Sequence, residues 1–306
     1  SAIRIMKGAL LRIRDIDLSL LPEMMTYGVS TLLYMSSAVL IFKSADLVIG
    51  SQLSTASVSQ FYIATTPVLL LATSIQVYAQ AMKPAVSDLD ARNDTGRIEQ
   101  MAMLSQKYSL FAIIPGVAFL VLMGESFLKI WVGERMSDPS VIPELVLVLQ
   151  ALAIGTGLRL SQHTNFIVLV GKGSHRVFGL TALAMWISSI FLAIAAEREL
   201  GLGLVGIAWA CACPMILVST TVLPVHFMRE MGISLNKTLR ESWGPAITSS
   251  VPGVVLLTAW SRFSPPETWF MLLLSVAVAA GATAVTAWYF GIKPAERSRL
   301  RRLVSR

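Results

Sequence analysis

Charged side chains are scarce in this sequence. Asp, Glu, Lys and Arg make up 14% of the 306 residues, whereas soluble domains carry about 25% charge. Apolar residues make up 55% of the chain. A soluble globular protein is therefore excluded, and the composition is typical of an integral membrane protein.

Cysteine and histidine are also rare, with two and three copies. Cys211 and Cys213 lie in one apolar run, "ACACPM", where they point to different sides of a helix with no acid or histidine nearby. No disulfide framework or metal site is predicted from them. We expect no cofactor.

The motifs of enzymes and nucleic-acid-binding proteins are missing too. The net charge of +7 suits basic loops facing anionic lipid better than nucleic acid, since no soluble domain is available to bind it. Carboxylates such as Glu125, Glu144 and Glu267 stand singly at the edges of apolar runs, with no paired acid or nucleophile–base set. The sequence therefore disfavours an enzyme.

Long apolar runs are what the sequence does contain. A membrane-spanning helix needs roughly 20 apolar residues. Eight runs are candidates, of which the third and the seventh are short: Met24–Phe42, Val58–Ala81, Tyr108–Gly124, Leu145–Val170, Val177–Ala196, Leu202–Val225, Ala246–Trp260 and Thr268–Ile292. The prediction is an all-α, polytopic membrane protein with about eight transmembrane helices. Four of them contain a proline, at Pro67, Pro115, Pro214 and Pro252, which suits either a kinked bundle or a hinge.

The distribution of basic residues supports this partition. When the segments between runs are assigned alternately to two sides, 19 of the 25 Lys and Arg residues fall on one side and five on the other. Basic loops face the cytoplasm. We therefore expect both termini in the cytoplasm, with the chain crossing the membrane eight times.

One arginine, Arg159, belongs to neither side because it lies within the fourth run. Thr156 and His163, at i−3 and i+4, share its helical face, and Gln162 borders it. A charge inside the membrane is costly and marks a functional site by default. Two interpretations stay open: Arg159 binds an anion in a water-filled cavity, or it has a structural role and extends toward the headgroups.

A polar stripe on the second run is the next candidate. Its members step at helical spacing: Tyr62, Thr66, Thr73, Gln76 and Gln80. The stripe either forms hydrogen bonds between helices or lines a cavity suited to sugar hydroxyls. Lys43 and Asp46, at i and i+3, are predicted to cap the end of the first run as an exposed ion pair, with a gate role as the alternative.

Several motifs resemble the polysaccharide biosynthesis proteins. "SADLVIGSQLSTASVSQFYIA", "GESFLKIWVGE", "VLQALAIGTGL", "LVGKGSHRV" and "LGLVGIAWACACPMI" follow in the order and spacing of that family's later spans. The match is to the O-antigen flippase branch of the multidrug/oligosaccharidyl-lipid/polysaccharide exporter superfamily, and it covers about Tyr27 to Met231.

The resemblance implies a two-bundle exporter fold of twelve or fourteen spans. Residues 1–22 would then be a basic cytoplasmic lead-in and 23–231 a six-span C-terminal bundle. Residues 232–306 would add two spans and a basic cytoplasmic tail. Because the chain starts at Ser1, we expect a fragment that lacks the first bundle, or a half-length protein completed by a second chain.

The resemblance also implies a function. The family moves an undecaprenyl-diphosphate-linked oligosaccharide across the inner membrane by alternating access, and its cationic cavity suits Arg159. The alternatives are a multidrug or organic-cation exporter, which needs buried carboxylates, and a membrane-bound glycan polymerase or ligase, which needs a large periplasmic loop. The expected partners are the lipid bilayer and the lipid-linked glycan.

Overall fold

The computed structural model of the chain describes residues 18–133, 138–294 and 296–298. The described residues form helices and no strand, which confirms the all-α prediction. The helices are α1 Leu21–Gln52, α2 Thr55–Gln80, α3 Lys83–Ala91, α4 Thr95–Leu122, α5 Gly124–Val132, α6 Ile142–Ser161, α7 His163–Gly171, α8 Arg176–Arg198, α9 Gly203–Thr220, α10 Val222–Met231, α11 Leu235–Thr238, α12 Gly244–Phe263 and α13 Trp269–Thr286. Two π-helical turns, Leu239–Trp243 and Ala287–Gly291, precede α12 and follow α13.

Seven of the eight predicted spans are helices long and apolar enough to cross a membrane within the described ranges. They are Met24–Gln52, Thr55–Ala91, Thr95–Leu122, Pro139–Gly171, Arg176–Arg198, Gly203–Met231 and Trp269–Gly291. The expectation of eight is therefore one too many when judged by length and composition. The run at Ala246–Trp260 is helical as α12, but its serine, threonine, glycine and proline residues lower its apolar character.

The position of α12 is beside α4 along most of its length. Ser242, just before α12, donates its hydroxyl to the Met103 carbonyl in α4 at 2.9 Å, and Leu257 packs with Met123 at the far end of α4. From Ser242 to Leu257, a helix rises about 22 Å. The helix α12 thus runs beside the spanning part of α4, and α13 returns antiparallel to it, with the Thr286 hydroxyl donating to the Ser249 carbonyl at 2.6 Å.

Two basic segments of the described chain meet at one end of the bundle. Here Lys237, near α11, forms an ion pair with Glu99 of α4, and this hydrogen bond raises the pKa of Lys237. Lys293, after α13, pairs with Glu241 at 3.4 Å. We call this end the basic face.

The remaining loops meet at the opposite face. The rings of Phe127 in α5 and Trp269 in α13 lie with their centroids 6.1 Å apart. The Glu144 carboxylate at the start of α6 lies against Gly203 at the start of α9. These contacts join the start of α13 to α5 and the start of α9 to α6 at this end of the bundle.

Small residues bring three pairs of helices of the described chain into close contact. A Cβ placed on Gly155 of α6 would lie 2.8 Å from the Cα of Ala212 in α9, and one on Gly179 of α8 would lie 2.7 Å from the Cα of Ser30 in α1. A Cβ on Gly253 of α12 would lie 2.7 Å from the carbonyl oxygen of Ala279 in α13. Such approaches of backbone to backbone are typical of membrane helices, where packing replaces the hydrophobic effect. The closely packed pairs are thus α6–α9, α1–α8 and α12–α13.

Several predicted boundaries are too short. The first run was expected to end at Phe42, whereas α1 continues to Gln52, and the third was expected to begin at Tyr108, whereas α4 begins at Thr95. The boundaries differ because each helix continues past its apolar run into polar residues, at the C-terminal end of α1 and at the N-terminal end of α4. The division between residues 231 and 232 stays a prediction. All four prolines lie inside helices, as expected.

Candidate functional site

Arg159 lies in the last turn of α6 and is fully buried. Its Nη2 donates to the Tyr34 carbonyl oxygen at 2.9 Å and to the Ser37 hydroxyl at 2.7 Å, and its Nε donates to the same hydroxyl at 3.1 Å. The guanidinium carbon lies 5.3 Å from the centroid of the Tyr34 ring, within the range of a cation–π interaction. Arg159 therefore connects α6 to α1.

The polar atoms around Arg159 are not all used. Arg159 Nη1, Thr156 Oγ1, the Tyr34 hydroxyl and both ring nitrogens of His163 are buried without a hydrogen-bond partner. His163 begins α7, and its ring stacks on that of Tyr34 with centroids 6.1 Å apart. The spacing that placed His163 beside Arg159 is thus confirmed, since both contact Tyr34. The cluster retains donors for a further polar group.

Arg159 has no acidic partner in the described part of the chain. The fully buried charged side chains there are Arg159 and Lys107, and no carboxylate oxygen lies within 4 Å of the guanidinium. Lys107 differs because its Nζ lies 2.6 Å from the Glu296 carboxylate. Burying an unpaired cation costs several kcal/mol. Among the described residues, this charge is stabilised by neutral acceptors of α1 and by the Tyr34 ring alone.

The two interpretations left open by the sequence can now be compared with this geometry. Arg159 does not reach the headgroups, because its side chain ends on α1 inside the bundle. Neither does water reach it in this conformation, since it is 0% exposed. Its anion-binding role stays a prediction, and exposing it requires α1 to separate from α6.

The helix is interrupted immediately after Arg159. Gln162 falls between α6 and α7, where its backbone N–H donates to the Arg159 carbonyl at 3.1 Å. Its side chain turns away from the arginine: Nε2 donates to the Ser161 hydroxyl at 3.2 Å, and Oε1 accepts from Asn165 Nδ2 at 2.9 Å. Gln162 is therefore part of a separate group of amides on another side of the helix.

The predicted polar stripe of α2 lies at the surface of the described bundle. Its members are exposed or half-buried: Tyr62, Thr66, Thr73, Gln76 and Gln80. The two threonine hydroxyls donate to carbonyls of their own helix, four residues back, at 2.8 and 2.9 Å. Because threonine hydroxyls commonly bond to their own helix, these two bonds do not indicate whether the stripe binds a ligand. Gln76 and Gln80 are therefore the residues with which a role of the stripe can be tested. No contact joins the stripe to the Arg159 cluster among the described residues.

Lys43 and Asp46 form the predicted ion pair, with Nζ and Oδ2 2.8 Å apart. The Lys43 side chain is 64% exposed and also lies 5.6 Å from the centroid of the Tyr62 ring. The expectation that the pair caps the first helix is wrong, because α1 continues to Gln52. The pair therefore lies on the side of a long helix beside the stripe.

Two groups were not anticipated from the sequence. Tyr34 and Ser37 accept the hydrogen bonds of the arginine. In the sequence they are one aromatic and one small polar residue within an apolar run, and nothing distinguishes them there. Lys107 was counted as a loop residue, whereas it is 1% exposed within α4. The sequence feature that could have indicated its burial is the run of seventeen mostly apolar residues that follows it.

Comparison with known proteins agrees with the resemblance drawn from the motifs. Residues 10–140 match the model of a family described as polysaccharide biosynthesis protein. No curated protein matches the sequence.

Two solved structures share the fold. One is a transporter of the MOP superfamily from Pyrococcus furiosus, described as having a binding pocket of reverse polarity that suggests a different function. It is 16% identical, with a TM-score of 0.55 over 87% of this chain and 64% of its own. The other is an outward-facing multidrug resistance transporter of the MATE family, 15% identical, with the same TM-score and coverage. This chain thus spans about 64% of the length of the structures it matches. The chain is therefore an all-α, multi-pass membrane protein with the fold of the MOP-superfamily transporters, and over residues 10–140 it is similar to the polysaccharide biosynthesis family.

Proposed function

We propose that this chain is part of a flippase that moves an anionic, lipid-linked oligosaccharide across the bacterial inner membrane by alternating access. Undecaprenyl diphosphate is the lipid carrier we expect. The basic face would lie in the cytoplasm, as the positive-inside rule requires. The family match over residues 10–140 and the transporter fold support the proposal.

The observation that carries this proposal is the buried, acid-free Arg159. Its present acceptors, the Tyr34 carbonyl and the Ser37 hydroxyl, are neutral. Phosphate oxygens are charged, and they accept from a guanidinium in pairs, with about twice the strength of neutral acceptors. A diphosphate that reaches the site therefore competes with α1 for the arginine. Thr156 and His163 supply further polar atoms beside it.

Polarity also separates this proposal from an organic-cation exporter. A cationic cargo requires a buried carboxylate, and no Asp or Glu is fully buried among the described residues. The Pyrococcus furiosus transporter is described in terms that connect the polarity of the binding pocket to function within this fold. In the described part of this chain, the fully buried charged side chains are the basic ones of Arg159 and Lys107. A glycan polymerase or ligase is less well supported, because both solved structures of this fold are transporters.

The test of the proposal substitutes Arg159 in the full-length protein and measures glycan export, with the amount of protein in the membrane as normalisation. Arg159→Ala and Arg159→Glu should lower export about a hundredfold, since a charged contact worth a few kcal/mol is lost. Arg159→Lys should retain part of the activity, because lysine keeps the charge and loses the planar fork.

Ser37→Ala is the matched control. It removes one of the two neutral acceptors from α1, leaves the Tyr34 carbonyl, and keeps the cation in place. If Arg159 serves only to hold α1 against α6, Ser37→Ala and Arg159→Ala should impair the protein in the same way. If Arg159 binds the diphosphate, Ser37→Ala should export normally or faster. Normal export by Arg159→Leu would refute the proposal.

The stripe is proposed to contact the sugars, and it has its own test. Cysteines at Gln76 and Gln80 should react with a water-soluble thiol reagent, whereas cysteines at Leu70 and Val77 should not. All four positions are exposed or half-buried in the structure. Equal inertness at all four would mean that this face contacts lipid, and the stripe would then have no role in sugar binding.

A further inference from the structure

One membrane span is interrupted without a proline or a glycine. The helix α6 ends at Ser161 and α7 begins at His163, and residues 158–166 contain neither residue type. Where both are missing, a helix is bent by a polar side chain that bonds into its ladder of hydrogen bonds. Residues 159–170 are all buried, so the backbone groups at the break find their partners within the protein.

Side chains of α4 bond to both sides of the break. On the α6 side, Gln106 Nε2 donates to the Ser161 carbonyl at 3.4 Å. On the α7 side, the hydroxyls of Ser109 and Thr164 lie 3.0 Å apart. Gln106 and Ser109 are one helical turn apart on α4, and each is 1% exposed. One face of α4 is therefore bonded to the end of α6 and to the start of α7.

The break also separates two backbone groups that a continuous helix would join. Because α6 ends at Ser161, the carbonyl of that residue has no partner within α6. The N–H of Asn165 lies in the first turn of α7 and has no partner within α7. In an uninterrupted α-helix this N–H would donate to the Ser161 carbonyl, four residues earlier. The Gln106 side chain therefore takes the place of the Asn165 amide, and exchanging these two donors replaces one amide–carbonyl bond by another.

The same turn of the chain carries Arg159. Its carbonyl accepts from the Gln162 N–H, three residues on, at 3.1 Å. In a continuous helix it would accept from His163, four residues on. A cavity of about 280 Å³ lies beside the break and is lined by Gln162, by Asn165 and by Phe227 of α10. This cavity gives the start of α7 room to move when the turn rewinds.

We propose that the break at Gln162 is a hinge, and that Gln106 and Ser109 are positioning residues that hold its bent form. When Gln106 releases the carbonyl at the end of α6, the N–H in the first turn of α7 takes its place, and α7 turns into line with α6. The arginine on α6 and the histidine on α7 then change their relative positions, because the hinge lies between them. The inference goes beyond the proposed function, since the two forms of the span differ without any cargo.

The experiment measures the distance between two spin labels on the purified 306-residue chain in lipid nanodiscs, with both native cysteines replaced by alanine. One label replaces Gln100 on α4. The other replaces Ser174, whose N–H donates to the Leu169 carbonyl near the end of α7 at 2.9 Å. Because α7 has nine residues, a change of about 20° at the hinge displaces its far end by about 4 Å. Gln106→Leu removes the donor at similar volume, so its label distance should differ from that of the wild type by about 2–4 Å.

A second variant and a matched control assign the change to the hinge. Ser109→Ala releases the α7 side of the break and should change the distance in the same direction as Gln106→Leu. Gln150→Leu is the control, because Gln150 Nε2 donates to the Val121 carbonyl at 2.8 Å. It removes an amide–carbonyl bond between the same two helices, α6 and α4, about three turns from the break. Its label distance should equal that of the wild type.

An unchanged distance in either folded variant, Gln106→Leu or Ser109→Ala, would overturn the proposal. An equal change in Gln150→Leu would overturn it too, because any lost bond between α4 and α6 would then have the same effect. If one of the two variants does not fold, the other decides. The distances are measured without substrate, so the outcome of the export experiments on Arg159 leaves this result unaffected.

Discussion

The ion pair between Lys107 and Glu296 should respond asymmetrically to the loss of either partner. Lys107 is 1% exposed, and its Nζ also donates to the Gly291 carbonyl at 3.3 Å. Glu296 lies beyond α13 at the basic face with its side chain 15% exposed, and it also accepts from the Tyr108 hydroxyl at 3.4 Å. The lysine is thus enclosed, whereas the glutamate retains access to water.

This difference in burial determines how much each substitution should lower the free energy of unfolding. Glu296→Ala leaves a charged lysine inside the bundle, and breaking such a pair costs about 3–5 kcal/mol of the free energy of unfolding. Lys107→Met fills the same space with an apolar side chain and leaves Glu296 to be hydrated, so we expect a cost of about 1 kcal/mol. The double variant should be as stable as Lys107→Met, because it contains no buried lysine without a partner.

The assay is reversible unfolding of the purified chain in mixed micelles with increasing dodecyl sulfate, followed by helical circular dichroism. A double-mutant cycle gives the coupling, which should be about 2 kcal/mol or more. Equal costs for the two single variants, or a coupling below about 0.5 kcal/mol, would show that the pair is hydrated and that the burial of Lys107 does not govern its energy.

Two further predictions concern the helices. We predict that α12 crosses the membrane beside α4. Single cysteines at Asn236 and Ser264, in a chain whose native cysteines are replaced by alanine, should then be labelled from opposite sides; labelling from the same side would refute the crossing. Gly155→Ala should lower the free energy of unfolding by about 1–3 kcal/mol, since its Cβ would press on the backbone of Ala212. Gly281→Ala, whose Cβ would meet nothing within 4 Å, is the control and should be neutral or stabilising, and equal effects would contradict the close approach of α6 and α9.

The order of the helices could be predicted from the sequence because it depends on a local property, the length of each apolar run. The run at Ala246–Trp260 shows the limit of this reasoning: it is helical as α12 between α4 and α13, but its serine and threonine residues lower its apolar character. The side of the membrane on which each basic loop lies stays a prediction.

The site could be predicted only where it depends on helical spacing. Arg159 and His163 contact the same tyrosine, as residues at i and i+4 should. Their partners Tyr34 and Ser37 lie more than 120 residues away in the sequence. A helix that is apolar on all sides gives no indication of which face meets which neighbour. The sequence therefore could not predict that Arg159 contacts Tyr34 and Ser37. The break at Gln162 was equally hidden, since neither proline nor glycine marks it.

Arg159 closes a ring of four helices. Helix α1 packs on α8 through Ser30 and Gly179, and α6 packs on α9 through Gly155 and Ala212. Helices α8 and α9 also pack on each other, so α1, α8, α9 and α6 form a continuous series of contacts. The bonds from Arg159 to Tyr34 and Ser37 join the two ends of that series. Breaking these bonds would open the ring at one point and leave the three helix–helix contacts in place.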